Sequence, residues 1–199
     1  MHQYNPGFSR THTYARAPTN SMYPKKSMTQ AGAAKTPRSK NAAAARPGGR
    51  RIQVRRSGVH GKGVFAVAAI PKGEVLIEYK GEIIDWPEAL RRHPHDPSDP
   101  HHTFYFHIDE KHVIDAKHGG NAARWINHSC EPNCEADEVD GRIFIKSLRT
   151  LKPGQELFYD YGLIIDDKYT PKLKKEYECR CGSKRCRGTM LAPKRASHG

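Results

Sequence analysis

Three of the chain's five cysteines, Cys179, Cys181 and Cys186, fall close together in the pattern C-x-C-x4-C. An odd total leaves one thiol over, and Cys179 and Cys181 are too near in sequence to bridge easily. Clustered cysteines in a chain without a secretory signal read as a metal site rather than a disulfide framework. Three thiolates are one short of the tetrahedron that zinc takes in structural sites. The fourth must come from Cys130 or Cys134, far upstream. The segment around 179–186 is therefore expected to fold back onto the stretch that carries those two cysteines. Four thiolates leave no open position for water, so the role of the zinc would be structural.

That upstream stretch, residues 121–134, runs from an apolar approach (Ala122 to Ile126) into a polar corner. Asn127, His128, Ser129, Cys130, Asn133 and Cys134 crowd together there, and Pro132 forbids a continuing helix. Ser, Asn and Pro favour a turn. Any one of these residues alone reads as a capping or loop residue. Together they suit a rigid bend that presents side chains for use.

The charge is segregated. The chain has 199 residues with 34 Lys or Arg and 21 Asp or Glu. Residues 1–56 hold 12 of the basic residues and no acidic one; Glu74 is the first carboxylate. The remainder is close to neutral. Residues 1–50 are rich in Ala, Pro, Ser, Lys and Arg and poor in large apolar residues, so they read as a disordered basic tail. Residues 31–51 look like a histone tail in composition. A flexible cationic arm attracts phosphates, so residues 1–56 are a candidate DNA contact. A purely solubilising tail, or a tail whose Lys35 or Lys40 is a substrate of the following domain, are the other readings. Pro6, Pro18 and Pro24 disfavour the amphipathic helix of a mitochondrial import segment. No apolar run approaches the ~20 residues that cross a membrane as a helix.

Order is expected from about Ile52. Residues 52–54 and 64–67 read as strands around a glycine turn, and Pro71-Lys72-Gly73 as a second turn. Strands are expected over 75–80 and 81–85, and one or two helical turns over 86–92 with Pro87 at the first position. Residues 93–102 read as a loop whose four histidines are solvated rather than metal-binding. Short strands follow at 104–108, 113–116, 141–147 and 156–161, and residues 166–178 read as a charged linker. Regularly spaced short strands with Gly and Pro turns indicate a mainly β domain with short helices.

Two further motifs carry possible chemistry. His60-Gly61-Lys62-Gly63 is a weak signal alone, since hairpins use glycine for conformation. Without G-x-G-x-x-G or β-α-β spacing it disfavours a Rossmann dinucleotide site. In Tyr159-Asp160-Tyr161, a strand would point both phenols to one side.

Taken together these residues resemble the SET-domain protein lysine methyltransferases. The pieces occur in that family's order. They are His60 to Phe65, Tyr79-Lys80-Gly81, Arg124 to Cys130, Glu156 to Tyr161, and the terminal cysteines of a post-SET segment. The stretch 113–134 looks closest to the trithorax-like branch. The resemblance implies a SET (β-clip) fold over 51–165, with a knot-like crossing between the segment after Asn127 and the Tyr159 strand. It implies a post-SET linker and zinc-binding segment over 166–199. The implied methyl donor is S-adenosylmethionine, with His60, Lys62, Gly63, Phe104, Asn127, His128 and Arg180 as cofactor-binding residues. Zn2+ is implied at Cys130, Cys179, Cys181 and Cys186, which leaves Cys134 as a small buried residue. The implied catalytic residues are Tyr161, Tyr159 and Tyr105.

The implied reaction is methyl transfer to the ε-amine of a protein lysine, on a histone or another basic, DNA-associated protein. Such a lysine must be neutral to attack, against a reference pKa of about 10.4. A dry channel and a neighbouring cationic sulfonium would favour the neutral form. The family's usual tyrosine before Asp109 aligns with Phe104, and Tyr105 stands beside it. A one-residue slip in a strand changes face. Tyrosine at position 159 narrows the site and implies mainly mono-methylation. The alternative from another class is a catalytically silent, zinc-stabilised module that binds chromatin or nucleic acid. A nuclear, chromosomal location is expected if the source is eukaryotic. Cytoplasm, nucleoid or export into a host is expected if it is bacterial.

Overall fold

The computed structural model describes residues 50–92, 104–165 and 168–193, together with the backbone of Ala15–Arg16. The rest of the expected tail and the histidine-rich loop at 93–102 lie outside the described residues. Strand β1 (Ala15–Arg16) is followed by β2 (Ile52–Arg56) and β3 (Lys62–Ala66), an antiparallel pair from Ile52↔Ala66 to Arg56↔Lys62. Gly61 makes their turn possible at φ +44, a left-handed conformation that costs glycine little.

Strand β4 (Val75–Glu78) leads into β5 (Glu82–Asp85) and helix α1 (Trp86–Arg92). The Asp85 carboxylate accepts from the Glu88 N–H at 2.8 Å and so caps α1. Strands β6 (Tyr105–His107) and β7 (His112–Asp115) pair with each other and with β5, which gives a sheet of order β1-β6-β7-β5. A single 3-10 turn, Ala122–Trp125, is capped by the Asn121 side chain, which accepts from the Ala123 N–H.

Past it come β8 (Asn127–His128), β9 (Cys134–Val139), β10 (Arg142–Ser147) and β11 (Phe158–Tyr159). Strand β9 was not expected. Its partner β10 follows a two-residue turn in which Asp140 and Gly141 both have positive φ, 52 and 74. Asp-Gly in that conformation is the hairpin turn whose twist matches the strands it joins. Strand β10 also pairs with β4, so the second sheet has the order β4-β10-β9. The expected strand at 156–161 forms a ladder only over β11. The expected linker contains helix α2 (Pro171–Glu176), capped by Thr170 Oγ1 accepting from Leu173 N–H, with proline in its first turn.

One core joins these small sheets. Val64, Ile70, Phe106, Ile126, Ile145 and Leu157 are at most 1 % exposed. Burying each such side chain contributes about 1.5–3 kcal/mol. Leu163, Ile165, Leu173, Tyr177 and Leu191 belong to the same cluster, so the C-terminal segment is packed into the domain rather than tethered beside it. A second cluster of Ile84, Ala89 and Val113, with Trp86 and Tyr105 against it, seats α1 on β5 and β7. The architecture is mainly β with short helices, as expected. Among the described residues no helix is long and apolar enough to cross a membrane.

Candidate active site

The site is built where β8 and β11 meet. They pair in parallel, Phe158↔Asn127 and Tyr159↔His128. The clasp continues past the ladder: Ser129 N–H donates to Tyr159 O, and Asn133 N–H donates to Phe158 O. The Asn133 side chain, 1 % exposed, accepts from Phe158 N–H at 2.8 Å and donates to Glu156 O at 2.7 Å. A buried amide must find such partners or lose its hydration uncompensated. Asn133 therefore locks two distant segments in one register.

Asn127 holds the glycine turn to this crossing. Its Nδ2 donates to Lys62 O at 2.9 Å and to Glu156 Oε1 at 3.0 Å, with His60 O at 3.3 Å. Gly63 is explained by the same contact. A Cβ at that position would lie 2.1 Å from Glu156 Oε1. The missing side chain makes room for the carboxylate that Asn127 grips.

Phenols gather on the other side. The Tyr159 and Tyr161 rings are 4.9 Å apart, as the shared-face expectation required, though Tyr161 lies beyond the ladder. Phe106 stands between Tyr159, at 6.3 Å, and Tyr79, at 5.1 Å. Tyr161 Oη donates to Ile126 O at 2.9 Å and Tyr79 Oη donates to Phe104 O at 3.1 Å. Burial pushes all three phenols well above the ordinary tyrosine value. All three are therefore neutral at physiological pH.

His128 joins the phenols to the thiols. Its Nδ1 accepts from Tyr161 N–H at 3.1 Å, which puts the ring proton on Nε2, 3.4 Å from Cys130 Sγ. Burial lowers this imidazole to about 4, opposed by the Asp160 carboxylate and reinforced by Arg187. Both ring nitrogens are engaged within the protein, so the ring acts as a brace. Asp160 lies 3.5 Å from His128 and accepts two hydrogen bonds from Arg187, at 2.6 and 2.8 Å.

Beyond His128 the ligand atoms of Cys130, Cys179, Cys181 and Cys186 all lie within 4.8 Å of one another. Cys130 Sγ is 3.7 Å from Cys179 Sγ and 3.9 Å from Cys186 Sγ. A tetrahedron with Zn–S bonds of about 2.3 Å has edges of about 3.8 Å, so the spacing fits zinc. Cys134 stands apart, fully buried opposite Ser147 in the β9–β10 ladder, and burial pushes its thiol up to about 12. Of the two upstream candidates the geometry selects Cys130. Glu131 fastens the same corner by accepting from Arg185 Nε at 2.7 Å.

Comparison with known proteins accounts for this arrangement. The family model described as the SET domain matches residues 61–162. The chain belongs to the SET-domain family. Similar proteins include trithorax, a histone-lysine N-methyltransferase of Drosophila virilis, which is 42 % identical over 140 residues. That alignment covers 68 % of this chain and 4 % of trithorax. The histone-lysine N-methyltransferase set-2 of Caenorhabditis elegans is 39 % identical over 144 residues, 70 % of this chain and 9 % of set-2. Histone-lysine N-methyltransferase 2B of Homo sapiens is 40 % identical over 140 residues, 68 % of this chain and 5 % of the relative. The similarity supports the trithorax-like branch, and the chain spans less than a tenth of the length of these relatives.

Within this SET domain the expected site residues separate into groups. His60, Lys62, Gly63, Asn127, His128, Tyr159 and Tyr161 converge on the crossing. Phe104 borders them, its ring edge-on to Trp125 at 5.1 Å, while Lys62 Nζ sits 4.5 Å from the Trp125 ring centroid. Tyr105 points elsewhere. Its hydroxyl donates to Ala89 O at 3.0 Å, and its ring packs in the α1 cluster. Successive strand residues face opposite sides, so Phe106 takes the inward place and Tyr105 the outward one. Arg180 is exposed and paired with Glu178 at 2.8 Å rather than turned toward the crossing.

Four residues of the SET-domain site were missed in the sequence reading. Tyr79 supplies the third buried phenol. Glu156 anchors Asn127, and Asp160 and Arg187 form the ion pair beside His128. Asp160 and Glu156 sit inside the quoted motifs, so their acidity amid apolar neighbours was the available signal. Arg187 follows Cys186 directly and carried no signal that set it apart from the other basic residues nearby.

Proposed function

We propose that this SET domain catalyses methyl transfer from S-adenosylmethionine to the ε-amine of a protein lysine, with a histone as the substrate. The observation that carries this reading is the convergence of Tyr161, Tyr159 and Tyr79 on the β8–β11 crossing, next to the Asn127-held glycine turn. The relatives' names supply the substrate class, and chromatin would be the place of action.

The residues present suit such a donor. Arg124 Nε is buried with no partner among the described residues. The rings of Phe104 and Trp125 lie beside it, with the Lys62 ammonium near. His60, Lys62, Phe104, Asn127 and the β8 backbone would hold the donor, with Lys62 suited to its carboxylate. The donor supplies an electrophilic methyl on a sulfonium.

Everything else is done by the chain. The dry phenol cluster disfavours an ammonium and so favours the neutral amine that can attack. Tyr161, with its proton committed to Ile126 O, keeps lone pairs free to accept a hydrogen bond from that amine and so aim it. The amine would take the methyl as the donor's C–S bond breaks, and its excess proton would pass to water. Holding amine and methyl in line accounts for much of the rate. Zinc on Cys130, Cys179, Cys181 and Cys186 would fix the segment that carries Arg187. The basic residues of 1–56 would add nonspecific contact with DNA.

Incubating the protein with labelled donor and core histones tests the reading, with Tyr161→Phe as control. Label on a histone lysine, lost in the variant, is the expected result. No transfer to histones, to other basic proteins or to the chain itself would leave the silent binding module as the better account.

A further inference from the structure

We propose that Ala15–Arg16 of this chain blocks its own site, as a strand added to the outer edge of β6. In the order β1-β6-β7-β5, β6 would be an edge strand without β1. An open edge presents unpaired N–H and C=O groups that template another chain. Adding a strand to such an edge is a common way to bind an extended peptide. Here the added strand is seen: Ala15 pairs with Phe106 and Arg16 with His107, in parallel.

The position gives the pairing its meaning. Phe106 is the β6 residue whose ring lies against both Tyr79 and Tyr159. A strand in register with Phe106 therefore runs alongside the phenol cluster, where a methyl-accepting peptide would have to lie. This step rests on the methyl-transfer reading.

The sequence of the occupant makes it a blocker rather than a substrate. Residues 1–24 contain Arg10 and Arg16 and no lysine. The first lysine, Lys25, is nine residues beyond Arg16, or about 30 Å along an extended strand at ~3.3 Å per residue. Arginine stays protonated and cannot serve as the neutral amine nucleophile. The paired segment thus offers the basic character of a histone-like tail without an acceptor amine. A second copy of the chain or a foreign peptide could take the same edge only by displacing it.

The test uses the full chain carrying Ala15→Pro and Arg16→Pro, which removes two backbone donors from the added strand. Hydrogen exchange at the amides of β6 should speed up in the variant. A synthetic peptide of residues 9–22 added in trans should restore the protection. In the transfer assay the variant should show a several-fold lower KM for a histone-tail peptide with kcat unchanged. The synthetic peptide should compete with the histone peptide and not with the donor. Unchanged exchange at β6, or a KM equal to that of the unsubstituted chain, would overturn the proposal. If neither chain transfers methyl groups, the methyl-transfer reading fails. The exchange measurement then still decides whether the strand docks.

Discussion

Arg187 donates two hydrogen bonds to Asp160, at 2.6 and 2.8 Å, and so ties the cysteine-bearing segment to the residue between the two site tyrosines. Arg187 N–H also points at Cys130 Sγ, 3.4 Å away. Arg187→Ala should lower kcat about tenfold, which is ~1.4 kcal/mol of transition-state stabilisation, and lower stability by about 1–2 kcal/mol through the stranded carboxylate. Arg187→Lys should recover part of both, since lysine keeps the charge and loses the paired geometry. Steady-state kinetics and thermal melts of the two variants check this.

Chelating zinc should loosen the segment unevenly. Residues 179–188 should exchange amide hydrogens quickly, while Leu173, Tyr177 and Leu191, buried in the main core, should stay protected. In the chelated protein Cys130, Cys179, Cys181 and Cys186 should react with an alkylating reagent, and Cys134 only after unfolding. Mass spectrometry of the modified cysteines reads both outcomes. Early modification of Cys134 would contradict its placement in the ladder.

Tyr159 is buried, with the rings of Phe106 and Tyr161 against it. In the proposed reaction, removing its hydroxyl would enlarge the space around the acceptor nitrogen. The unsubstituted chain should yield mainly mono-methyl lysine, and Tyr159→Phe should shift products toward di- and trimethyl forms. Product masses from a lysine-bearing histone peptide decide it.

Tyr105 and Tyr79 should behave oppositely. Tyr105→Phe removes one hydrogen bond to Ala89 O, at a cost of about 1 kcal/mol, and should leave kcat within twofold. Tyr79→Phe removes a hydroxyl next to the site tyrosines and should lower kcat about tenfold. Paired kinetics and melting curves separate the two.

Alkaline pH should unfold the domain through its phenols. Burial raises Tyr105 to about 12 and holds Tyr79, Tyr159 and Tyr161 higher than an ordinary tyrosine. A raised folded-state value favours the neutral form, so this stability is complete below the unfolded value of about 10. It is lost as pH climbs through the folded values. Melting temperature should be insensitive to these groups below that point and fall above it, together with the onset of tyrosinate absorbance.

Much of the fold was legible because its signals are local. Glycine and proline turns bounded β2 to β5, and Pro87 marked the start of α1. Strand β9 was missed because its inward residues are only Cys134 and Ala136, small enough to leave the run reading as acidic; the Asp-Gly turn was the stronger clue. Helix α2 was missed because Leu173 is its one buried residue, with the buried Tyr177 at its C-cap, though Thr170 and Pro171 form a standard start. Asn127, His128, Tyr159 and Tyr161 lie together at the β8–β11 crossing, while Tyr105 and Arg180 lie away from it. What sequence order could not convey was direction. Tyr105 faces away from the crossing because successive residues of β6 face opposite sides, Tyr79 lies just past the end of β4, and Arg187 pairs with Asp160 where Arg180 pairs with Glu178.

The β8–β11 pairing has a consequence for how the chain reaches its native state. Asn127 and Phe158 touch across 31 residues, and Cys130 and Cys179 across 49. Neither contact has a local precursor, and closing long loops is entropically costly before those contacts form. The β9–β10 hairpin lies inside the first of these loops and draws its ends together, so it should form early and set the pace. The part of the molecule that would do the chemistry is then among the last to exist, and changes in the Asp140–Gly141 turn should delay its appearance without touching it.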